Sequence, residues 1–381
     1  MTLQYRFGQL TRLIRDPRTG VSLDERAWVD LIHLLRASDL LGCLYHLADI
    51  AGAFEHYPSY ARRHLQSMRV YSDRQARQVR LECSEIDAQL SSVGIKPVFL
   101  KGAGYTLRGS RNSRGRIYTD IDALVPREEI YKAQAALKHD AWYSPPITDY
   151  DERYYRKWAH EIPPMKHLFR RTVLDLHHNI VPPISGRAPN INSLLEGLVT
   201  TTEGLLVLSP PAATLHSIVH LFTNEDFTKG FRDLVDLYLL MEEYGDKSYW
   251  QGLLSLAKRT GFSNELVYAL ASLKQVLEYP VPDSVWAELG DSARKLAQGF
   301  WAKQVFSRAL SPHHPMVCGA SEQLAIQLIY LRGHWMKMPV PVLIGHLSVK
   351  AGMGLWAKLF GKQHAERPLA VPNDTTDIDR A

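Results

Sequence analysis

Two short stretches decide the fold of this chain: Val98-Phe-Leu-Lys-Gly-Ala-Gly104 and Tyr118-Thr-Asp-Ile-Asp-Ala-Leu-Val125. The first is an apolar run that ends in a Lys-Gly turn, which predicts a short buried strand followed by a helix. The second carries two carboxylates, Asp120 and Asp122, separated by one residue. Because alternate side chains of a strand point to the same face, we expect these carboxylates to lie side by side, about 7 Å apart along the chain.

The other face of the second strand is apolar. Ile121, Ala123 and Val125 alternate with the two carboxylates and can be buried. Two like charges are rarely placed together on an otherwise apolar strand unless a cation offsets their repulsion. The pattern therefore predicts a divalent-metal site at Asp120 and Asp122.

The composition is that of an ordinary soluble globular protein. The chain has 381 residues, 45% hydrophobic and 22% charged, which is enough for two or three domains. Its net charge of +5 would help attract a polyanion such as a nucleoside triphosphate, but it does not demand nucleic acid.

Several classes of protein are disfavoured. Cys43, Cys83 and Cys318 are far apart and lack CxxC spacing, so they predict neither a zinc framework nor a disulfide-rich scaffold. The first residues lack the apolar core of a signal peptide, and no apolar run reaches the length of a membrane span. We therefore expect a cytoplasmic protein.

Hydrophobic periodicity predicts an α+β protein in four parts. Residues 1–93 are expected to be helical, residues 94–209 to contain a small mixed sheet, and residues 210–362 to be helical again. The polar, proline-containing residues 363–381 are expected to form a disordered tail.

The strongest individual elements are a long helix and a pair of strands. The helix is predicted over residues 58–92 and ends near Gly94. The strands are predicted over residues 167–170 and 172–178, with a turn near Arg171. The predicted C-terminal helices cover residues 214–222, 229–244, 249–260, 263–277, 283–289, 322–336 and 342–360.

Four motifs now stand together in chain order: Leu100-Lys-Gly102, Arg116 four residues before Asp120, the Asp-Ile-Asp run itself, and Leu174-Asp-Leu-His177. This set resembles the uncharacterised nucleotidyltransferase family within the DNA polymerase β-like superfamily. The resemblance implies a polymerase-β-like nucleotidyltransferase core in residues 94–209, flanked by helical regions. It also implies transfer of a nucleoside monophosphate from ATP or another NTP to an acceptor hydroxyl, with release of pyrophosphate.

The resemblance assigns the catalytic and metal-binding roles to three carboxylates, Asp120, Asp122 and Asp175. Together they would hold two Mg²⁺ ions, with Mn²⁺ as the alternative, because hard oxygen ligands suit these ions. Asp120 and Asp122 would hold the ions that bridge to the triphosphate. Asp175 would complete the second metal site and accept the proton of the acceptor hydroxyl.

Four further residues are expected to contact the nucleotide: Lys101, Gly102, Arg116 and His177. The Gly102 N–H can donate to a phosphate, Lys101 can add a point charge, and Arg116 a planar fork. His177 lies two residues after Asp175 on the predicted strand, so both side chains point to the same face and can reach the same cleft. In the alternative readings Lys101 is a surface lysine, Arg116 pins its loop to a carboxylate, and His177 sits at the edge of the core.

The chain departs from the wider superfamily pattern at the turn after the first strand. That pattern has Gly-Gly or Gly-Ser there, whereas this sequence has Lys101-Gly102. A literal Gly109-Ser110 occurs later, but it does not directly follow an apolar strand. We therefore favour Lys101-Gly102 as the turn.

Other functions remain open at this point. A dehalogenase-type phosphatase places its first Asp at a strand end, whereas the segment 123–125 continues the apolar strand here. A glycosyltransferase normally has a longer α/β nucleotide-binding domain before its Asp-x-Asp. A catalytically silent nucleotide-binding or regulatory protein with the same fold is the alternative function. The acceptor, which could be a small molecule, a protein or tRNA, and the oligomeric state cannot be inferred.

Several other polar and charged residues can be explained by packing or salt bridges without a catalytic role. His216 and His220 lie one helical turn apart without the Glu of a metalloprotease motif, so a packed or substrate-facing helix is expected. The pair 177–178 lacks further ligands at metal spacing, and we predict no zinc site there. Arg232, Asp233 and Asp236 are explained equally well by the family pattern and by an internal salt bridge. The apolar and basic segment 350–362 could touch a membrane surface or a partner, but such stripes more often pack on their own domain.

Overall fold

A computed structural model describes residues 3–339 and 342–343 of the chain. It has the predicted α+β class, with helices before and after a seven-stranded mixed sheet. The helices are α1 (Leu3–Arg15), α2 (Glu25–Ala37), α3 (Leu41–Ile50), α4 (Ser59–Ser91), α5 (Lys101–Arg108), α6 (Ile130–His139), α7 (Asp149–Lys157), α8 (Asn192–Leu195), α9 (Pro210–Thr223), α10 (Gly230–Tyr244), α11 (Lys247–Thr260), α12 (Ser263–Val276), α13 (Asp283–Ala297), α14 (Ser307–Ala309) and α15 (Ala320–Lys337). The strands are β1 (Val98–Phe99), β2 (Ile121–Leu124), β3 (Trp142–Tyr143), β4 (Met165–His167), β5 (Val173–His177), β6 (Val199–Thr200) and β7 (Leu206–Val207).

The N-terminal helices follow from local signals. Asp24 caps α2 by accepting a hydrogen bond from the Ala27 N–H at 2.8 Å. Helix α4 runs for 33 residues, and Gly94 follows its end in the left-handed region, with φ of 79°. This is the long helix that the periodicity predicts. Helix α1 lies within the region 1–93 that was expected to be helical, although no individual helix was predicted there.

The sheet has the strand order β3-β4-β5-β2-β1-β7-β6. Strand β1 is antiparallel to β2 and parallel to β7, and β2 is parallel to β5. The sheet is therefore mixed, as predicted. Strands β3, β6 and β7 were not predicted, because two residues are too few to show an alternating pattern.

The hairpin around Arg171 is shorter than predicted. Residues 168–170 form part of the turn rather than a strand, and β4 begins earlier, at Met165. Arg171 has a φ of 63°, and its N–H donates to the His167 carbonyl at 3.0 Å. The predicted turn is thus confirmed, and β5 begins two residues after it.

Helices cover both faces of the sheet. Ile121, Ala123 and Val125 lie in one apolar core, with residues of α4 and α6, so the face predicted to be apolar is buried. The alternate residue Leu124 belongs to a second core, which extends from Leu10 to Ile329. This second core joins the N-terminal helices to the C-terminal ones. The four-part division of the chain stays a prediction.

Helices α9 to α12 and α15 occur where the sequence predicts them, within a few residues. Helix α13 begins as predicted at Asp283 but extends eight residues beyond the predicted end, past a break in helical geometry at Gly290. Helix α7 lies in a stretch for which no helix was predicted. The amphipathic segment 350–362, the tail 363–381 and most of the helix predicted over 342–360 fall outside the described residues. None of the helices in the described ranges is both long and apolar enough to cross a bilayer.

Candidate active site

The three predicted carboxylates lie at one place on the sheet. Asp122 of β2 and Asp175 of β5 are register partners on adjacent parallel strands, and Asp120 directly precedes β2. Asp120 and Asp175 line a cavity of about 250 Å³. Asp122 is only 4% exposed. Register partners on adjacent parallel strands point to the same face of the sheet. The alternation of side chains inferred from the sequence therefore places these carboxylates together.

Asp122 is held by two cationic or polar side chains. Lys101 Nζ lies 2.7 Å from Asp122 Oδ1, and His177 Nε2 lies 2.9 Å from the same oxygen. On its other side, His177 Nδ1 is 3.2 Å from Glu161 Oε2. Lys101 and His177 therefore both reach the carboxylate cluster, and His177 bridges two acidic residues.

The electrostatics of Lys101, Asp122 and His177 favour the charged form of each side chain. Burial alone would raise the pKa of Asp122, but Lys101 and His177 outweigh it and hold the pKa well below its usual value. Burial would lower the pKa of Lys101, but the charge of Asp122 raises it instead. Burial likewise opposes the charged form of His177, yet its contacts with Asp122 and Glu161 raise its pKa.

The other two carboxylates are not neutralised in this way. Burial, with the nearby charges of Asp122 and Glu161, raises the pKa of Asp175 to about 7. Burial and the charge of Asp122 also raise the pKa of Asp120. Asp175 Oδ1 is buried and has no hydrogen-bond partner among the described residues. A bound cation would offset the repulsion between these buried carboxylates and would give the unpaired oxygen a partner.

Replacing Asp175 with Asn is expected to remove a pH dependence of stability. Because the pKa of Asp175 rises from 3.8 to about 7 on folding, the folded protein retains a proton that the unfolded chain releases. This contribution to stability is present below the unfolded pKa and is lost as the pH rises through the folded one. Urea titrations without divalent cations should therefore show the wild type losing stability relative to Asp175→Asn between about pH 4 and about pH 7. A constant difference across that range would contradict the assignment.

The turn after β1 brings Lys101 over the cluster. The Leu100 N–H donates to the Asp122 carbonyl at 2.9 Å, and α5 begins at the next residue. Gly104 approaches the backbone closely, since a Cβ there would lie 2.7 Å from the Phe99 carbonyl oxygen. Lys101-Gly102 thus opens α5 and is separated from β1 by Leu100 alone.

The dipeptide Gly109-Ser110 lies at the other end of α5. Gly109 caps the helix in the left-handed conformation. Ser110 is buried and lies within hydrogen-bonding distance of Arg108 and Tyr244. The literal Gly-Ser is therefore a helix C-cap and not the turn that follows β1.

Arg116 makes the contact that was predicted as its alternative. Its guanidinium hydrogen-bonds to the Asp236 carboxylate of α10 and lies 5.6 Å from the centre of the Tyr105 ring. A Cβ at Gly102 would be 3.1 Å from Arg116 Nε, so the glycine makes room for the arginine. Arg116 does not line the large cavity but a smaller one of about 40 Å³, which shares Lys101 with it.

Arg232 and Asp233 of α10 form a pair of their own. Arg232 Nη2 is 2.9 Å from Asp233 Oδ1, so a salt bridge within the helix exists alongside the Arg116–Asp236 pair. Arg232 also approaches Asp39, at 4.0 Å. Arg232 and Asp233 line the small cavity with Asp236.

The two histidines of α9 differ in environment. His216 is 3% exposed, and burial together with Lys101 lowers its pKa to about 3. The charge of Lys101 and burial also lower the pKa of His220 well below its usual value. His220 also lines the large cavity. Helix α9 is thus packed, which is one of the two expectations, and contact with a substrate stays a prediction.

Several residues of the cavity were missed by the sequence analysis. The cavity is lined by Lys101, Asp120, His160, Glu161, Asp175, His177, Ile180, Val181, Pro182, His220, Thr223, Asn224 and Lys337. His160 and Glu161 come from the segment after α7, and Lys337 from the last turn of α15. The only local signal was the His-Glu dipeptide itself. Its position opposite His177 depends on strand pairing that the sequence does not reveal.

His177 therefore has neighbours that its own sequence spacing did not indicate. His160, Glu161 and His177 offer ligand atoms that all lie within 4.8 Å of one another. The spacing around the 177–178 pair does not show these neighbours, because they come from a different segment, and the absence of a zinc site there stays a prediction.

Comparison with known proteins identifies a family. A model of an uncharacterised nucleotidyltransferase family matches residues 24–278, which is more than half of the chain and includes Asp120, Asp122 and Asp175. No curated protein and no solved structure matches the chain. The family supports a general nucleotidyl-transfer function and implies an NTP substrate. The chain belongs to the uncharacterised nucleotidyltransferase family.

Proposed function

We propose that this protein transfers a nucleoside monophosphate from an NTP to an acceptor hydroxyl and releases pyrophosphate. One observation carries the proposal: Asp122 and Asp175 are register partners beside Asp120, and Asp120 and Asp175 line a cavity together with Lys101 and His177. A site of this kind can neutralise and position a triphosphate, and these two effects supply most of the rate in phosphoryl transfer.

The carboxylates fit a pair of Mg²⁺ ions, with Mn²⁺ as the alternative. Asp120, Asp122 and Asp175 supply only oxygen ligands, and the buried Asp175 Oδ1 lacks a partner among the described residues. When bound, two such ions stabilise the attacking and leaving oxygens of an in-line displacement. In this proposal Asp120 and Asp122 face the triphosphate and Asp175 completes the second site.

The protein's own side chains orient and neutralise the substrate. Lys101, which ion-pairs with Asp122 at 2.7 Å, supplies a positive charge to the β- or γ-phosphate. The Gly102 N–H, in the first turn of α5, donates to a phosphate oxygen. His177 fixes the orientation of Asp122 through its 2.9 Å hydrogen bond. Lys101 thus acts on both a carboxylate and the nucleotide, whereas His177 acts through Asp122.

Asp175 is proposed to accept the proton of the acceptor hydroxyl. Its carboxylate lines the cavity with Asp120, and a divalent ion held beside it would favour the ionised form, which can accept a proton. Arg116 is proposed to contact phosphate, as the family pattern implies, from its position beside Lys101 at the small cavity. Its pairing with Asp236 supports a second role in holding the loop before β2. The cytoplasmic location stays a prediction.

Label transfer tests the proposed reaction. The full chain is incubated with Mg²⁺, cell extract and each of the four NTPs labelled at the α-phosphate. We expect one or more nucleotides to pass label to an acceptor in the extract, and mass spectrometry of the labelled product then identifies the acceptor class. If the protein binds nucleotide but transfers label from none of the four, the alternative holds, a catalytically silent nucleotide-binding or regulatory protein.

A further inference from the structure

A second group of ligand atoms lies in the same cavity as the three aspartates. His160, Glu161 and His177 each offer one atom, and these atoms lie within 4.8 Å of one another. Glu161 Oε2 is 3.2 Å from His177 Nδ1 and 3.9 Å from His160 Nε2. The group therefore consists of two imidazoles around one carboxylate.

The backbone holds these residues together. Glu161, which belongs to none of the seven strands, forms an antiparallel bridge with His177 at the end of β5. On either side of the bridge, the His178 N–H donates to the His160 carbonyl at 2.8 Å, and the Ile162 N–H donates to the Leu176 carbonyl at 3.1 Å. The cluster is thus positioned by paired backbone rather than by a free loop, as a preformed ligand set requires.

Two of the separations are close to those around a four-coordinate transition metal. Ligand atoms bound to Zn²⁺ at about 2.0–2.2 Å in a tetrahedral arrangement lie roughly 3.3–3.5 Å apart. The separations of 3.2 Å and 3.9 Å fall on either side of that range. Two imidazoles and one carboxylate suit Zn²⁺ and similar ions, whereas Mg²⁺ prefers oxygen ligands alone.

The surroundings of the two histidines point the same way. His177 uses its other ring nitrogen, Nε2, to contact Asp122 at 2.9 Å, which is the carboxylate–histidine arrangement that orients a metal-bound imidazole. His160 Nδ1 is buried and has no hydrogen-bond partner within the described part of the chain. The atom that His160 directs toward the cluster is Nε2, 3.9 Å from Glu161 Oε2.

We propose that His160, Glu161 and His177 bind one transition-metal ion of the Zn²⁺ class, at a site separate from the three aspartates. The three residues supply three ligands, and the fourth position faces the cavity of about 250 Å³ that they line with Asp175. Three protein ligands with one open position are typical of zinc sites that act on a substrate rather than of structural ones. The inference does not rest on the proposed nucleotidyl transfer.

The ordinary alternative is a hydrogen-bonded bridge in which His177 links Asp122 to Glu161 without any metal. The two cases differ in their response to Zn²⁺. The test uses the full chain freed of metal with a chelator, and it measures Zn²⁺ binding by calorimetry in the presence of excess Mg²⁺. We expect one Zn²⁺ per chain, and Co²⁺ bound in its place should give the visible absorption of a four-coordinate site.

Variants locate the site. His160→Ala and Glu161→Gln are each expected to weaken Zn²⁺ binding by about 100-fold or more. Two variants should keep it: His178→Ala, which removes a neighbouring histidine outside the cluster, and Asp175→Asn, which removes a proposed Mg²⁺ ligand. Circular dichroism and thermal unfolding of each variant show whether the fold is kept.

Three results would overturn the proposal. The first is a folded wild-type protein that binds no Zn²⁺ in excess Mg²⁺. The second is Zn²⁺ binding that His160→Ala and Glu161→Gln, both folded, leave unchanged. The third is Zn²⁺ binding that Asp175→Asn abolishes, which would assign the ion to the three aspartates. None of these results depends on whether the protein transfers nucleotides.

Discussion

Replacing Asp122 with Asn is expected to lower kcat for nucleotidyl transfer by about 10³-fold or more. Asparagine has nearly the same size and can still accept hydrogen bonds from Lys101 and His177, so the site keeps its shape. It lacks the charge that balances Lys101 and that a divalent ion requires. The measurement is the initial rate of label transfer from the α-phosphate, with Asp120→Asn and Asp175→Asn expected to behave similarly.

A matched substitution controls for loss of an aspartate as such. Asp291 is an exposed residue of α13, away from both cavities at the proposed site. Asp291→Asn should leave the rate within about twofold of the wild type, because an isolated surface charge contributes little. If Asp122→Asn, correctly folded, transfers label as fast as Asp291→Asn, the carboxylate cluster is not the catalytic centre.

Asp236→Ala is expected to reduce the free energy of unfolding by about 3–5 kcal/mol, because it leaves a buried guanidinium without its partner. The side chains of Arg116 and Asp236 are only 10% and 9% exposed. Urea unfolding of the wild type and the variant measures the difference. The double variant Arg116→Met/Asp236→Leu should recover most of the loss, since it removes both buried charges.

An exposed ion pair provides the comparison. Arg62 and Glu55 form a salt bridge with side chains 35% and 75% exposed. Glu55→Ala should change the free energy of unfolding by no more than about 1 kcal/mol. Equal losses in Asp236→Ala and Glu55→Ala would mean that the pair at α10 does not anchor the loop before β2.

The carboxylate cluster could be predicted because it depends on local geometry. The spacing of Asp120 and Asp122 places both on one face of a strand, and Leu174-Asp-Leu-His177 carries the same alternation. Their apolar neighbours on β2 are buried as expected. Local geometry does not show that the two strands pair with each other. The family resemblance implies this pairing, and the register of β2 with β5 confirms it.

The rest of the cavity could not be predicted because it depends on long-range contacts. Glu161 reaches His177 through an isolated bridge from a stretch rich in tyrosine and proline, where no periodicity was visible. Lys337 comes from the far end of α15. Arg116 was predicted to contact phosphate, with a carboxylate as the alternative. Its partner Asp236 is 120 residues away, and only packing of α10 against the loop brings them together.

The central claim is that three carboxylates form a site that transfers a nucleoside monophosphate. Its most direct test compares transfer of label from the α-phosphate and from the γ-phosphate of the same NTP, with Mg²⁺ and the acceptor found in extract. The account predicts that α-label alone appears on the acceptor, that γ-label leaves as pyrophosphate, and that a chelator stops both. Appearance of γ-label on the acceptor, or transfer of α-label that continues unchanged in Asp122→Asn, would contradict it.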